Sequence, residues 1–252
     1  MKRLENKKAI ITGSARGIGK AIAQKFLQEG AHVFLVDIQQ ERLLKTRDEL
    51  ASLGGEVQAY VADVSKKAQV QSLVETVLKT WGEVDILVNN AGIAIVENFL
   101  DLKEENWDHT LNVNLKSMFL VSQLVARDMV KKGRGGAIVN MASTNGLLGE
   151  AGLAHYNASK AGVILLTKTL AIELAPYNIR VNCVCPGFIK TELAAEAGFD
   201  DTFIAEYVKK IPLNRHGKPE EVANVFAFLA SDEASFITGA SIVIDGGQII
   251  KE

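Results

Sequence analysis

An α/β protein built on a doubly wound, seven-stranded parallel sheet is what these 252 residues predict, and three observations carry the prediction. Short segments rich in Val and Ile run without polar alternation, as strands buried on both faces require. Each is followed by a glycine-rich or polar turn and then a helical stretch, the pattern of parallel strands joined by helical crossovers. No linker, low-complexity tract or compositional shift divides the chain, so one domain over residues 1–252 is expected.

The elements follow in order. Lys8 to Ile11 reads as the first strand, and the next helix spans about Ile18 to Glu29, stopped by Gly30, since glycine accepts the left-handed conformation just past a last turn. His32 to Val36 is strand two, closed by Asp37. A charged helix follows to about Ser52, with Gly54-Gly55 as the break. Glu56 to Val61 is strand three, and the helix after Asp63 reaches Trp81. Val84 to Val88 is strand four, running into Asn89-Asn90-Ala91-Gly92. One long helix is expected from Glu105 to Lys132. Ala137 to Met141 is strand five, and His155 to Leu174 is a helix ending before Pro176. Ile179 to Val184 is strand six. Pro186-Gly187 opens an irregular stretch with a lid reaching Ile211. Pro219 suits the first turn of a helix running to Ser231, and Ser241 to Ile244 is strand seven.

Composition narrows the function classes. With 28 Lys and Arg against 30 Asp and Glu, the net charge of -2 opposes a broad polyanion-binding surface, so no nucleic-acid partner is expected. No apolar run is long enough for a membrane helix, and no membrane association is expected. The charged residues Met1 to Lys7 lead straight into a strand rather than forming a secretory leader, which points to a cytoplasmic protein. Cys183 and Cys185 lie two apart on one strand and read as buried free thiols. With four scattered histidines they supply no metal set.

The turn after strand one, Thr12-Gly13-Ser14-Ala15-Arg16-Gly17-Ile18-Gly19, has the spacing of a phosphate cradle. Gly13 permits the tight turn, Gly17 lets backbone approach a pyrophosphate, and Gly19 allows helix to pack closely on sheet. Gly13, Ser14, Arg16, Gly17, Ile18 and Gly19 are therefore candidate cofactor residues in a Rossmann-type fold, whose nucleotide half is about residues 1–110. Asp37, followed by Ile38, sits where a carboxylate accepts hydrogen bonds from ribose hydroxyls and repels a 2′-phosphate, favouring NAD over NADP. Arg16 pulls toward a phosphate. Asp63 with Val64 suits the adenine amino group, and Asn90, Ala91 and Gly92 fall near the switch point of the sheet. The alternative reading of Asp37 is a helix cap, and Asp63 and Asn90 read equally as turn formers.

At the other end, Ser143 follows strand five, and Tyr156 and Lys160 lie four apart on one helix face. Carbonyl reduction needs a proton at oxygen as hydride reaches carbon. A free tyrosine titrates near 10, and a nearby ammonium is expected to bring it into a useful range. Ser143 suits the substrate oxygen. Asn114, a poor helix former within the long helix, suits a water for proton relay.

Together, Thr12–Gly19, Asp63, Asn89–Gly92, Asn114, Ser143, Tyr156-Asn-Ala-Ser-Lys160, Ile179-Arg-Val-Asn182 and Pro186-Gly187 closely resemble the short-chain dehydrogenase/reductase family over essentially the whole chain. The resemblance implies Tyr156 as general acid/base, with Lys160 lowering its pKa and binding the nicotinamide ribose. Ser143 would orient substrate, and Asn114 would support a relay water. Pro186, Gly187, Ile189 and Thr191 would meet the carboxamide. It also implies a homotetramer assembled through helices 105–132 and 155–174 and through the C-terminal strand.

The expected activity is an NAD-dependent oxidoreductase moving hydride between nicotinamide and the carbon of a secondary alcohol or ketone, of polyol, sugar or hydroxy-ketone type. The runner-up is a 3-oxoacyl-(acyl-carrier-protein) reductase. A non-catalytic nucleotide-binding regulator is opposed by the presence of both Tyr156 and Lys160. Specificity is expected from Ala94 to Val96, Thr144 to His155 and a lid within about 187–215. Asn145 and Glu150 suit hydroxyls, whereas Leu147, Leu148 and Phe188 suit an apolar ligand. His155 reads as a substrate contact or as a surface histidine at a helix start. In the lid, Phe199, Phe203 and Tyr207 make an apolar stripe.

Overall fold

The computed structural model describes residues 2–192 and 201–250. Seven strands form one parallel sheet: β1 Lys8–Thr12, β2 His32–Asp37, β3 Val57–Val61, β4 Ile86–Asn89, β5 Gly136–Met141, β6 Ile179–Pro186 and β7 Ser241–Ile244. Their spatial order is β3-β2-β1-β4-β5-β6-β7. Chain direction across the sheet therefore reverses between β1 and β4, opening a crevice beyond their carboxyl ends. Register there is fixed by Ile10, which pairs with Phe34 on one side and Leu87 on the other.

Around the sheet lie α1 Gly17–Gln28, α2 Gln40–Leu50, α3 Lys67–Trp81, α4 Glu104–Leu111, α5 Ser117–Lys132, α6 Ala154–Leu174, α7 Asp201–Val208 and α8 Pro219–Ala230. Burial on both faces explains why the strands lack polar alternation. Ala9 and Ile11 face a core with Phe26 and Phe226, while Ile10 between them faces a second core with Leu73, Val77 and Leu87. In the second core Phe34 meets Trp81 edge-on, ring centres 5.1 Å apart. Burying one such side chain stabilises the fold by roughly 1.5–3 kcal/mol, so the strand interiors tolerate no polar residue without a partner. Gly30 does end α1, with φ +91°.

Most element ends fall within a residue or two of the expected ones, but the helix expected from Glu105 to Lys132 is divided. Asn112–Lys116 forms a π-helical stretch between α4 and α5. One wider turn rotates the following residues and turns Asn114 into the protein. Gly162 on α6 accommodates this turn, since a Cβ there would lie 2.7 Å from a Leu115 methyl group. Phe199 of the expected lid stripe lies outside the described residues, as does the Phe203 side chain; the Tyr207 end is described.

Candidate active site

A cleft of about 640 Å³ opens over the carboxyl ends of the strands and runs from the β1–α1 turn to α6 and α7. Its nucleotide end is shaped by glycines. Gly13 and Gly17 have φ of +64° and +56°, and a Cβ on Gly19 would lie 2.1 Å from the Gly13 carbonyl oxygen. The turn is also bolted to β4. Asn90 Nδ2 donates to the carbonyls of Thr12 and Gly13 at 3.0 and 2.8 Å. Thr12 Oγ1 accepts the Asn90 and Ala91 amides at 3.0 and 3.1 Å. The role of Thr12 depends on residues some 78 positions away, which no local spacing reveals.

Gly13, Arg16, Gly17, Ile18, Gly19, Asp37, Ile38, Asp63, Val64, Asn90, Ala91 and Gly92 all line the cleft. Ser14 instead is buried against β2, where its hydroxyl accepts the Val36 amide at 2.9 Å. Asp37 accepts the Ala15 amide at 3.0 Å and the Gln39 amide at 3.0 Å, so it also braces the glycine turn. Asp63 accepts from the Ser65 amide and hydroxyl at 2.9 and 2.6 Å. Arg16 and Arg42 both reach the Glu192 carboxylate, at 3.5 and 3.1 Å. The open glycine cradle at a helix start, with a carboxylate at the end of β2, fits a dinucleotide whose pyrophosphate meets backbone amides.

Asn114 is completely buried. Its Oδ1 accepts the Ile93 amide at 2.8 Å, and its Nδ2 donates to the Ile93 carbonyl at 2.9 Å and to Ser159 Oγ at 3.1 Å. The side chain thus clasps the loop after β4 onto α6. A Cβ on Gly92 would sit 3.3 Å from Asn114 Oδ1 and 3.5 Å from Lys160 Nζ, so the three residues share one corner of the cleft. Beneath it runs a buried polar chain. Asn89 donates to Ser122 and Asn140 at 2.9 and 2.8 Å, and Asn140 donates to Thr167 at 3.0 Å.

Ser143, Tyr156 and Lys160 converge at the far end. Ser143 accepts the Asn145 amide at 3.2 Å and lies near enough to Tyr156 to act on its phenol. Lys160 is buried, with Nζ donating to the Met141 carbonyl at 2.9 Å and lying 5.5 Å from the Tyr156 ring centre. Burial pushes its ammonium down to about 8. Tyr156 differs from expectation. Burial raises its phenol above the usual tyrosine value, the nearby Ser143 hydroxyl opposes the rise, and Glu150 adds to it. The ammonium is engaged with a backbone carbonyl rather than with the phenol oxygen, so it does not depress the phenol in the ligand-free protein.

His155 departs from the surface reading: it is wholly buried, and neither ring nitrogen has a hydrogen-bond partner among the described residues. Desolvation holds its imidazole below the usual value, opposed by Glu97. It starts α6 with its side chain inward, beside Tyr156 in sequence but outside the cleft lining.

Pro186, Gly187, Ile189 and Thr191 line the cleft after β6. A Cβ on Gly187 would meet Asp245 at 2.7 Å, so this turn needs glycine to lie against the tail. Cys183 and Cys185 are buried free thiols. Among the described residues no His, Cys, Asp and Glu cluster could hold a metal, and no helix is long and apolar enough to cross a membrane.

A family model described as enoyl-(acyl carrier protein) reductase matches residues 13–248. The 3-oxoacyl-(acyl-carrier-protein) reductase FabG of Thermotoga maritima is 49% identical over 98% of this chain and 100% of its own length. The NAD-dependent glycerol dehydrogenase of Listeria innocua is 43% identical, covering 98% of this chain and 96% of that protein. Among solved structures, a short-chain type dehydrogenase/reductase from Mycobacterium marinum superposes with a TM-score of 0.93 at 40% identity, over 97% of this chain and 96% of that one.

Proposed function

The chain belongs to the short-chain dehydrogenase/reductase family, as an NAD(P)-dependent oxidoreductase of alcohol and ketone carbons, and within it we propose an NAD-linked dehydrogenase of a polyol, sugar or hydroxy-ketone. The observation that carries the cofactor choice is Asp37, a carboxylate at the end of β2 lining the cleft beside the glycine turn. A 2′-phosphate there would meet like charge, whereas ribose hydroxyls would find an acceptor.

Gly13, Gly17 and Gly19 with the start of α1 would hold the pyrophosphate, and Asp63 and Val64 the adenine. Lys160 with the Pro186 to Thr191 loop would hold the nicotinamide end. When bound, the nicotinamide supplies or accepts the hydride. Ser143 holds the substrate oxygen beside Tyr156 Oη. In reduction, Tyr156 Oη gives its proton to the carbonyl oxygen; in oxidation, it takes the alcohol proton. A half-buried phenol with a raised pKa keeps its proton, so reduction begins from the protonated form the ligand-free protein already holds, and the transfer itself needs the phenol's acidity raised toward neutral pH. Oxidation requires that proton to leave first, and Lys160 would favour its loss once its ammonium turns from the Met141 carbonyl toward the phenol oxygen. Asn114 keeps the Ile93 loop, and with it the cleft wall, in register.

Apolar Val96, Leu153 and Phe188 on the cleft wall favour a second reading, a reductase of 3-oxoacyl thioesters, as the Thermotoga relative is named. The protein is further proposed to be a cytoplasmic homotetramer. Exposed Phe119 on α5, Leu165 and Ile172 on α6, and Val243 on β7 would be covered by neighbouring copies.

Initial rates test the substrate class. Glycerol, longer polyols and aldoses are oxidised in one direction, and hydroxy-ketones and acetoacetyl thioester are reduced in the other. Saturation on a polyol or hydroxy-ketone is the expected result. Thioester reduction alone would establish the second reading.

A further inference from the structure

At the substrate end of the cleft, one acidic side chain among the described residues stands beside neutral partners. Glu150 lies half-buried in the turn before α6 and lines the cleft with Ser143, Asn145, Tyr156 and Tyr207. Its Oε2 accepts from Asn145 Nδ2 at 2.9 Å. Asn145 Nδ2 also donates to Asn157 Oδ1 at 3.0 Å, and Asn157 returns a bond to the Glu150 carbonyl at 3.0 Å, so the turn carrying the carboxylate is fixed from two sides. Tyr207 on α7 lines the same cleft, and its phenol is pushed up to about 12, by burial first and by the nearby Glu150 carboxylate second. Gln248 Nε2 donates to the Tyr207 hydroxyl at 2.9 Å, while Gln248 Oε1 accepts the Phe188 amide at 3.2 Å. A hydrogen-bonded row of Ser143, Asn145 and Glu150 therefore lines this end of the cleft, with Tyr207, held by Gln248, lining it as well.

Among the described residues no cation pairs with Glu150. Lys160 points away, to the Met141 carbonyl, and Lys210 lies over the Tyr207 ring, 5.3 Å from its centre. The other acidic residues lining the cleft, Asp37, Asp63 and Glu192, are engaged around the nucleotide end. The field of Glu150 reaches the reacting corner, because it helps hold the Tyr156 phenol above its usual value.

We propose that Glu150 sets the substrate class, accepting hydroxyl hydrogen bonds from a neutral polyhydroxy compound and turning away substrates that carry a carboxylate or phosphate near the reacting carbon. The proposal rests on the polyol, sugar or hydroxy-ketone reading above and narrows it to uncharged members. An acceptor-only carboxylate is matched to hydroxyl donors, and a second anion within a few ångströms in a half-desolvated wall meets direct repulsion.

Glu150→Gln keeps an acceptor for Asn145 and removes only the charge, so the turn is expected to keep its shape. The test compares glycerol with glycerate and a pentitol with the matching aldonate, as substrates of the wild-type protein and of E150Q. The same compounds are also assayed as competitive inhibitors of acetoacetyl thioester reduction. Wild type should favour each neutral compound, and E150Q should narrow the neutral-to-acid ratio of kcat/KM, or of inhibition constants, by about tenfold or more. The change should fall on the acid, with the KM for cofactor unaltered. A ratio that E150Q leaves unchanged, in turnover and in inhibition alike, overturns the role of Glu150 even if polyols are good substrates. If wild type turns over no polyol or hydroxy-ketone yet E150Q relieves exclusion of the acids as inhibitors, the functional reading fails and the role of Glu150 stands.

Discussion

Lys160 Nζ donates to the Met141 carbonyl at 2.9 Å, at the end of β5, while its own helix also carries Tyr156. The ammonium is thus held between sheet and helix in a buried site and pushed down to about 8. That has a consequence for stability. The folded protein releases this proton near pH 8, whereas the unfolded chain keeps it to about 10.4. Between those values the unfolded state binds more protons, so the cost of the buried charge declines as pH rises. Over the full window the change is on the order of 3 kcal/mol. In urea denaturation of the cofactor-free protein, K160M should be favoured relative to wild type at pH 7, and the gap should shift toward wild type up to about pH 10. Cys183 and Cys185 interact with the Lys160 charge, so the same comparison in a Cys183→Ala, Cys185→Ala background isolates the lysine. A gap that does not vary with pH would contradict this account.

Tyr156→Phe removes the proton handed to the substrate oxygen and little else. Turnover should fall by about 10²–10⁴, while NADH binding, followed by fluorescence, stays near the wild-type value. A variant that binds NADH normally and keeps most of its turnover would remove Tyr156 from the mechanism.

Asn114→Ala would strand the Ile93 amide and carbonyl, both otherwise bonded by that side chain. Loss of those bonds in a buried site should cost about 2–3 kcal/mol in chemical denaturation, with activity falling in parallel. A loss of activity at unchanged stability would instead favour a direct part in proton transfer.

Gly19→Ala places a methyl group against the Gly13 carbonyl, at 2.1 Å for an ideal Cβ. The turn must open to admit it, so affinity for NADH should drop by more than tenfold, on the order of a lost phosphate cradle. Gly54→Ala, where a Cβ meets nothing within 4 Å, is the control: its φ of +93° should lower stability without touching cofactor affinity. Equal losses of affinity in both variants would mean that the cradle geometry is not what binds.

Strands, turns and glycine positions were legible in the sequence because each depends on its neighbours: a buried strand needs continuous apolar residues, and Gly13 and Gly17 need positive φ. Tyr156 and Lys160 were legible because a helix brings residues four apart onto one face. What stayed hidden depends on distant partners. The clasp of Asn114 on Ile93 spans 21 positions and follows from a π-turn that apolar periodicity does not mark. The polar chain from Asn89 to Thr167 joins four elements. His155 has the sequence position of a solvent-facing residue at a helix start, and its burial follows from how the first turn of α6 is set into the fold. Ser14 lies inside the phosphate motif, yet its hydroxyl serves β2.

Asp37 carries the central claim, and the rates of glycerol oxidation with NAD and with NADP, on one preparation, test it most directly. NAD should be preferred in kcat/KM by at least about a hundredfold, the scale of a buried like-charge contact, and Asp37→Ala should erase most of that preference. Equal use of both cofactors, or a preference for NADP in the wild-type protein, would contradict the account and move control of the site to Arg16 and Arg42, freed from Glu192.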